Sequence, residues 1–390
     1  MSLQQREVIG NACERDTPMK IKSFEVRLLT VDSTDYYRRL FIDVPRTWHW
    51  PLLIARTDEG LEGYSTCYWP RGEGPGMTRV LRDFYAQDLI GLSLDDHHKW
   101  WEMAMARQRH IYGLSDGMVG ILDVLLWDLR GKAANLSVAA LLGGAMRTQL
   151  PCYQTSQNAR MTPEQVFADV KQVMASGMRG YKLQMWEGPE KDIPRLRAAR
   201  EAGGESFPLM FDAVAGYDFE QAMIVGRELD RLNYTWFEEP IPDRQFRQLR
   251  QLARAINTPV LTGETLRLQE SPEAIRQGVG DRFRGDVHIK SGVTGMRQLI
   301  AMCELNGVDL EVHMAVNPMM DLANLHLACS TKLGHFFEVH SPEARQGMVG
   351  DPLAPDLQGN VHLPTGPGLG AQLDWNWIDN HTVNMSIWAS

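Results

Sequence analysis

Seven ionisable residues in the second half of the chain stand at the ends of short apolar runs, and this repeat limits the possible folds more than any other feature. Their spacing corresponds to one strand and one helix, as in Phe211-Asp212 and Phe237-Glu238. One of them, Asp286, opens the run Val287-His-Ile instead of closing one. The seven residues are Lys182, Asp212, Glu238, Glu264, Asp286, His313 and Glu338. Parallel strands that close into a barrel bring their C-terminal ends together. The repeat therefore predicts an α/β protein with a TIM-like (β/α)-barrel and these side chains at one mouth.

A different pattern precedes the barrel. Residues 21–29, 50–57 and 61–68 have the alternation of three strands in an antiparallel meander, and apolar residues at helical spacing follow, most clearly over residues 116–134. After Ser341 the chain is rich in Gly and Pro and has little helical pattern. The sequence predicts four segments: a flexible extension (1–18), an α+β capping domain (19–148), a barrel catalytic domain (149–345) and a C-terminal segment that returns to the cap (346–390).

Composition excludes several classes of function. A net charge of −9 argues against nucleic-acid binding, which depends on clustered Lys and Arg. No apolar run is long enough to span a bilayer, and the first residues lack the apolar centre of a secretory signal, so we expect a cytoplasmic protein. The five cysteines are scattered and odd in number, which argues against a disulfide framework or a zinc site.

Asp212, Glu238 and Glu264 are carboxylates on consecutive predicted strands. Such a group suits a hard cation that prefers oxygen ligands, and Mg²⁺ is the cofactor we expect. A lysine and a histidine beside it are the bases that metal-assisted proton abstraction requires. The alternative is that the three carboxylates only cap the N-termini of helices.

Motifs along nearly the whole chain resemble those of the enolase superfamily, and within it the mandelate racemase/muconate lactonizing enzyme-like proteins. They occur in the order of that family. The motifs are Trp127-Asp-Leu-Arg-Gly-Lys132, Leu141-Leu-Gly-Gly144, Trp236-Phe-Glu-Glu-Pro240, Gly263-Glu264, Ser291-Gly-Val-Thr-Gly295 and Pro364-Thr-Gly-Pro-Gly-Leu-Gly370. The resemblance implies a small-molecule carboxylate substrate and a homo-oligomer.

The resemblance also implies roles for individual residues. In Trp236-Phe-Glu-Glu-Pro240 it assigns the metal ligand to Glu238, with Glu239 pointing aside or lying behind the ligands. It makes His313 and Asp286 a catalytic dyad, in which the carboxylate orients the imidazole and raises its basicity. One departure is Val214, which stands where the family often has an asparagine two positions after the first aspartate.

Two further residues receive roles from the same resemblance. Lys182 would be the electrostatic partner of the substrate carboxylate, with a surface lysine as the alternative. Glu338 would share a proton or hydrogen bond with the enediolate oxygen, with a buried salt bridge as the alternative.

Gln184 decides between reactions. Related racemases and epimerases carry Lys-x-Lys here, whereas this chain has Lys182-Leu-Gln184. An amide cannot carry a proton on and off near neutral pH, so one face lacks its usual base. A single base suffices for β-elimination, and the sequence predicts an acid-sugar dehydratase. The alternatives are a racemase, an epimerase or a cycloisomerase, and a non-catalytic metal-binding homologue.

The cap loops are expected to determine which substrate is bound. Besides Gln184, the predicted substrate-binding residues are His49, Arg38 and Trp69. Further polar or aromatic candidates are Arg39, Arg46, Arg71 and Trp48. For each of these cap residues the alternative is a solvated loop position.

Overall fold

The computed structural model describes residues 18–32, 47–66, 74–108, 115–156, 159–314, 317–339 and 345–389. The predicted extension therefore lies outside the described residues except for Pro18. The strands are β1 (Ile21–Asp32), β2 (Thr47–Thr57), β3 (Glu62–Thr66), β4 (Gln149–Thr155), β5 (Gly180–Gln184), β6 (Leu209–Asp212), β7 (Trp236–Glu238), β8 (Val260–Thr262), β9 (Arg282–Gly285), β10 (Asp309–Val312), β11 (Phe337–Val339), β12 (Asn360–His362) and β13 (Thr382–Ala389).

Most of the α-helices lie between these strands along the chain. They are Gly74–Val80, Ala86–Leu89, His97–Arg107, Asp116–Ala134, Val138–Leu141, Pro163–Ala175, Pro189–Gly203, Phe219–Arg231, Phe246–Ala255, Ser271–Gln277, Gly292–Asn306, Pro318–Cys329 and Trp375–His381. A π-helical turn, Leu81–Tyr85, joins the first two, so helical backbone runs without a break from Gly74 to Leu89. In the part of the chain that is described, every helix is too short or too polar to cross a membrane.

Eight parallel strands form the barrel, in the order β10-β9-β8-β7-β6-β5-β4-β11. The barrel closes except between β10 and β11, and β12 adds an antiparallel pair at the start of β4. A second sheet, β13-β1-β2-β3, belongs to the cap. The predicted fold class, a modified TIM barrel with an α+β cap, is confirmed.

Local sequence explains where barrel helices begin. Thr162 precedes the helix Pro163–Ala175, and its hydroxyl accepts from the Gln165 N–H at 3.3 Å while the Gln165 side chain accepts from the Thr162 N–H at 2.8 Å. Asp218 and Gln221 form the same capping box before Phe219–Arg231. Such caps satisfy backbone donors that the first helical turn leaves unpaired.

Alternation along the strands sorts the barrel interior into layers. Tyr153, Met210, Trp236 and Leu261 are buried together in one apolar group, against which Phe336 packs. Asp212 and Glu238 lie two residues beyond Met210 and Trp236 on their strands, and Lys182 lies on the neighbouring β5. Side chains on the same face of a strand recur every second residue. The charged side chains therefore form the next layer beyond the apolar group, toward the C-terminal ends of the strands.

The cap and the barrel meet at the predicted motifs. The Asp128 carboxylate accepts from the N–H groups of Tyr64 and Leu369, both at 2.9 Å. A Cβ on Gly131 would lie 2.6 Å from the Cα of Gly368, so only glycine permits this approach. The final segment, predicted to have little helix, contains Trp375–His381 and ends in β13, which pairs with β1.

Candidate active site

The seven predicted ionisable residues lie at the C-terminal ends of barrel strands. Lys182 is in β5, Asp212 ends β6, Glu238 ends β7 and Glu338 is the central residue of β11. The remaining three follow β8, β9 and β10, and they are Glu264, Asp286 and His313. Asp286 directly follows β9, the sixth barrel strand, which ends at Gly285, and the run Val287-His-Ile lies in turns that lead to the helix Gly292–Asn306.

Lys182 brings three of these carboxylates together. Its Nζ lies 3.2 Å from both oxygens of Glu238, 3.2 Å from Glu338 Oε1 and 3.6 Å from Asp212 Oδ2. Burial alone would lower the pKa of Lys182, but the charges of Glu238 and Glu338 raise it well above its ordinary value. Lys182 therefore stays an ammonium group, and the alternative of a surface lysine is wrong because the side chain is buried.

Arg284 completes the network and is not among the predicted site residues. Its Nε lies 2.7 Å from Glu238 Oε1 and 3.5 Å from Glu264 Oε2, and its Nη2 pairs with Glu338 Oε2. The side chain is fully buried, and the neighbouring carboxylates raise its pKa well above the usual value even though burial opposes this. Arg284 stands two residues before Asp286, so strand alternation was the signal that could have predicted its direction.

Glu338 is held as an anion inside the barrel. Besides Lys182 and Arg284, it accepts hydrogen bonds from the hydroxyl of Tyr153 at 2.9 Å and from that of Thr155. Burial opposes ionisation, but the two cations, Lys182 first, lower the pKa of Glu338 well below its ordinary value. The structure thus contains the buried salt bridge that was the alternative for this residue.

Glu238 and Glu239 have different environments. Trp236 Nε1 donates to Glu238 Oε2 at 3.1 Å, and burial raises the pKa of Glu238 to about 7 against the opposing charges of Arg284 and Lys182. The backbone of Glu239 is left-handed, with φ of 37°. Its Oε1 is buried and has no hydrogen-bond partner within the described residues, and burial followed by the charge of Glu264 raises its pKa to about 11. Burial therefore favours the neutral form of Glu239, and no ion pair joins it to Lys182 or Arg284 in the part of the chain that is described.

His313 and Asp286 form the predicted pair. His313 Nδ1 lies 2.5 Å from Asp286 Oδ2, while Asp286 Oδ1 accepts from the N–H groups of His288 and Ile289 at 2.6 and 2.8 Å. This leaves His313 Nε2 facing Glu264 Oε2 at 3.6 Å. Burial opposes protonation of the imidazole, but Glu264 and the bond to Asp286 raise the pKa of His313 to about 9. Any cation that offsets the charge of Glu264 lowers this pKa.

Gln184 and Val214 both donate hydrogen bonds to the carboxylate of Asp212. Gln184 Nε2 donates to Asp212 Oδ2 at 2.9 Å, and the Val214 N–H donates to Asp212 Oδ1 at 2.8 Å. Val214 adopts φ of 48°, which is unusual for a β-branched residue. The backbone of Val214 thus supplies a polar contact to Asp212 at the position where the family often has asparagine.

Two buried groups hold the loop that carries Glu264. The Asp243 carboxylate accepts from the N–H groups of Gly263 and Thr265, both at 2.8 Å. Lys290 Nζ donates to the carbonyls of Gly263 and Glu264 at 2.6 and 2.9 Å. Because one group binds the N–H side and the other the carbonyl side, the Glu264 backbone is fixed on both sides. Neither Asp243 nor Lys290 is a predicted site residue.

The cap residues are only partly described. Arg38 and Trp69, with Arg39, Arg46 and Arg71, lie outside the described residues, and of Trp48 only the backbone in β2 is described. A Cβ on Gly74 would lie 2.2 Å from the Cβ of His49, so His49 is packed against the start of the helix Gly74–Val80. No hydrogen bond or ion pair joins His49 to the seven strand-end residues in the described ranges. A substrate contact by His49 stays a prediction.

Two family models match this chain. One, described as the mandelate racemase / muconate lactonizing enzyme N-terminal domain, matches residues 48–143; the other, described as enolase C-terminal domain-like, matches residues 165–377. The second match alone covers more than half of the 390 residues. The chain belongs to the mandelate racemase/muconate lactonizing enzyme family. The predicted resemblance is confirmed, and the protein shares the family's division into cap and barrel.

Relatives in the mandelate racemase/muconate lactonizing enzyme family include dehydratases and cycloisomerases. L-talarate/galactarate dehydratase of Salmonella typhimurium is 31% identical over 298 residues, 74% of this chain and 72% of that protein. D-galactarolactone cycloisomerase of Agrobacterium fabrum is 27% identical over 340 residues, 83% of this chain and 88% of that protein. The structure of L-talarate dehydratase from Polaromonas sp. JS666, complexed with Mg and L-glucarate, has a TM-score of 0.82 and 26% identity, and the match covers 95% of this chain and 99% of that one.

Proposed function

We propose that this protein is a Mg²⁺-dependent dehydratase of an acid sugar, an aldonate or an aldarate, and that it forms a 2-keto acid. The observation that carries this proposal is the asymmetry of the two faces of the site. One face has the His313–Asp286 pair, with His313 Nε2 directed toward the carboxylate network. The other has Gln184, whose amide is bonded to Asp212. A site with one proton carrier supports elimination better than the two-base exchange of a racemase.

The donor set fits a dication. Lys182 and Arg284 are the two cations of a network of four carboxyl groups, so the acidic groups outnumber the cations by two. We propose that Asp212, Glu238 and Glu264 hold the metal, because carboxylate oxygens are the ligands that Mg²⁺ prefers. When bound, Mg²⁺ supplies positive charge to the substrate's carboxylate oxygens.

The side chains of this chain then divide the reaction between them. His313 Nε2 removes the proton from the carbon α to the carboxylate, and the electrons of the broken C–H bond move into that carboxylate to give an enediolate. Lys182 holds the carboxylate by its charge, and Asp286 keeps the imidazole in position. Glu338, which is paired with Lys182 and Arg284, is proposed to keep these two cations in position beside the carboxylate.

The second half of the reaction returns the proton. As the enediolate collapses, the carboxylate re-forms and its electrons make a new double bond between the α- and β-carbons. The β C–O bond breaks at the same time, and the protonated His313 donates its proton to the leaving hydroxyl, which departs as water. The enol that remains tautomerises to the 2-keto acid. One imidazole performs both transfers if the proton and the hydroxyl leave from the same face.

The relatives support this class of reaction and also a second candidate. The L-talarate/galactarate dehydratase and the Mg- and L-glucarate-bound L-talarate dehydratase support an acid-sugar substrate and a dehydration. The similarity to D-galactarolactone cycloisomerase favours the alternative, an isomerisation on the same scaffold in which the proton returns to carbon and no water is lost.

The test is turnover of a panel of aldonates and aldarates in deuterated water with Mg²⁺. We expect a 2-keto acid, and deuterium at the α-carbon of recovered substrate with retained configuration. Gln184→Lys adds a titratable group and should allow some epimerisation, whereas Gln184→Met removes the amide without adding a base and should allow none. Inverted substrate formed by the unmodified enzyme as fast as 2-keto acid would contradict the proposal.

A further inference from the structure

The last strand, β13, is an edge strand with an exposed apolar face. Within the described residues it pairs only with β1, so its other edge has no strand partner. Alternate residues along it are exposed and apolar: Val383 at 60%, Met385 at 52% and Ile387 at 55%. Three of the twelve exposed large apolar residues in the described chain thus lie in these eight residues. This clustering of exposed apolar side chains indicates that the edge is an interaction surface.

The strand lacks the features that normally protect an edge. Thr382–Ala389 has the sequence Thr-Val-Asn-Met-Ser-Ile-Trp-Ala, with no charged residue and no proline. Proteins usually protect exposed edges with lysine, proline or very short strands, because outward N–H and C=O groups otherwise pair with another chain. The register shift between β1 and β13 falls at Leu28/Leu29, which leaves Ser23 to Leu28 regularly paired with β13.

The strand is complementary to itself in one antiparallel register. A two-fold axis at Met385 would place Met385 opposite its own copy and Val383 opposite Ile387, so that apolar side chains meet on one face. On the other face Asn384 would lie opposite Ser386, a pair able to hydrogen-bond. We propose that β13 joins β13 of a second copy of this chain, which converts two four-stranded cap sheets into one continuous eight-stranded sheet.

A second copy fits this edge because its contact is isologous: each residue that is needed on one side is present on the other. Seven residues of paired strand are less than the roughly 1,200 Å² that stable interfaces bury. The contact alone should therefore give a dimer that dissociates at low micromolar or lower concentration, unless neighbouring surfaces add to it. The predicted homo-oligomer would use this contact as one of its interfaces.

The first test measures molecular mass by sedimentation from about 0.5 to 100 µM. The unmodified protein should associate across this range, and Met385→Lys should remove that step, because it places two ammonium groups face to face at the axis. Val349→Lys is the matched control, since Val349 is 59% exposed and lies outside β13. A monomer at every concentration, or association that Met385→Lys leaves unchanged, would overturn the proposal.

The second test fixes the register by oxidation in a Cys13→Ser, Cys67→Ser background. Directly opposed residues of an antiparallel pair have Cβ atoms about 4.5–5.5 Å apart, whereas diagonal neighbours are about 7–8 Å apart. Met385→Cys should therefore form an intermolecular disulfide readily, and Ser386→Cys should not. Circular dichroism of each variant checks the fold. Equal cross-linking at both positions, or none at Met385→Cys, would reject the register.

Discussion

The barrel contains two charged clusters on the same strands, and they differ in charge balance. The catalytic-end network is the set Lys182, Asp212, Glu238, Glu264, Arg284, Asp286, His313 and Glu338. The opposite-end cluster is Arg282, Asp309, Glu311 and His335. Arg282 begins β9, Asp309 begins β10, Glu311 lies two residues before His313, and His335 lies just before β11. In the opposite-end cluster, the potential ligand atoms of Asp309, Glu311 and His335 all lie within 4.8 Å of one another. Among the described residues this is the group whose spacing most resembles that of a metal site.

The opposite-end cluster is nevertheless already neutralised. Arg282 Nη1 lies 2.9 Å from Glu311 Oε1, and His335 Nδ1 lies 3.2 Å from Asp309 Oδ2 and 3.1 Å from Glu311 Oε1. Hydrogen bonds to Asp309 and Glu311 raise the pKa of His335 to about 9, so two cations face two carboxylates at neutral pH. We therefore propose the catalytic-end network as the dication site, because its acidic groups outnumber its cations, whereas the charges of the opposite-end cluster are balanced.

The largest expected difference between the clusters is catalytic. His313→Asn removes the proposed base and should lower the kcat of dehydration about 10³-fold or more, because proton transfer to a positioned side chain is lost. His335→Asn is the matched control and should leave kcat within about twofold, since His335 belongs to the opposite-end cluster. Steady-state kinetics and α-proton exchange in deuterated water measure both. Exchange that persists in His313→Asn would reveal another base.

Metal binding should separate the clusters next. Glu264→Gln should raise the Kd for Mg²⁺ by at least about 100-fold, the upper range for loss of a residue that merely supports a ligand. Glu311→Gln should leave it unchanged, because Glu311 is paired with Arg282 and His335. Calorimetric titration gives both values, and chelator should abolish turnover until Mg²⁺ is restored. Full turnover in chelator would contradict the metal assignment.

Stability should respond more strongly at the catalytic end. Arg284→Met leaves Glu238 and Glu338 buried with Lys182 as their remaining cation, and breaking a buried pair of this kind costs about 3–5 kcal/mol. Arg282→Met should cost about 1 kcal/mol, because Glu311 keeps its contact with His335. Urea unfolding of each variant, with comparison of slopes, measures the difference. Equal losses would mean that burial does not distinguish the two arginines.

The smallest expected effect is a pH dependence at the opposite end. His335 gains carboxylate partners on folding, so its contribution is fully present below its unfolded pKa of about 6.5 and is lost as the pH rises through its folded pKa of about 9. The urea midpoint of His335→Asn should therefore lie below that of the unmodified protein at pH 6, and the difference should disappear near pH 10. A difference independent of pH would indicate lost packing instead.

The part of the candidate site that could be predicted from the sequence is the set of residues at the C-terminal ends of the strands. The contacts of Lys182 and Arg284, together with those of His313, join all seven predicted residues. Arg284 itself was not predicted, because alternation gives the face of a side chain but not its partners on β7 and β11. Asp243 and Lys290 were missed for a related reason. They bind the backbone of the loop that carries Glu264, and the spacing of side chains in the sequence does not predict such contacts.

By itself the sequence determined the order of strands and helices, the barrel and the end at which its charged residues meet. Period-two and helical spacing encode these features locally, and parallel strands always bring their C-terminal ends together. Only the tertiary structure decided which carboxylates share which cation, that Arg284 joins Glu238 to Glu338, and that β13 pairs with β1 and with no other strand of the described residues. Those outcomes depend on contacts between residues far apart in the chain, such as Arg284 with Glu338 and β13 with β1, whose energies no local pattern contains.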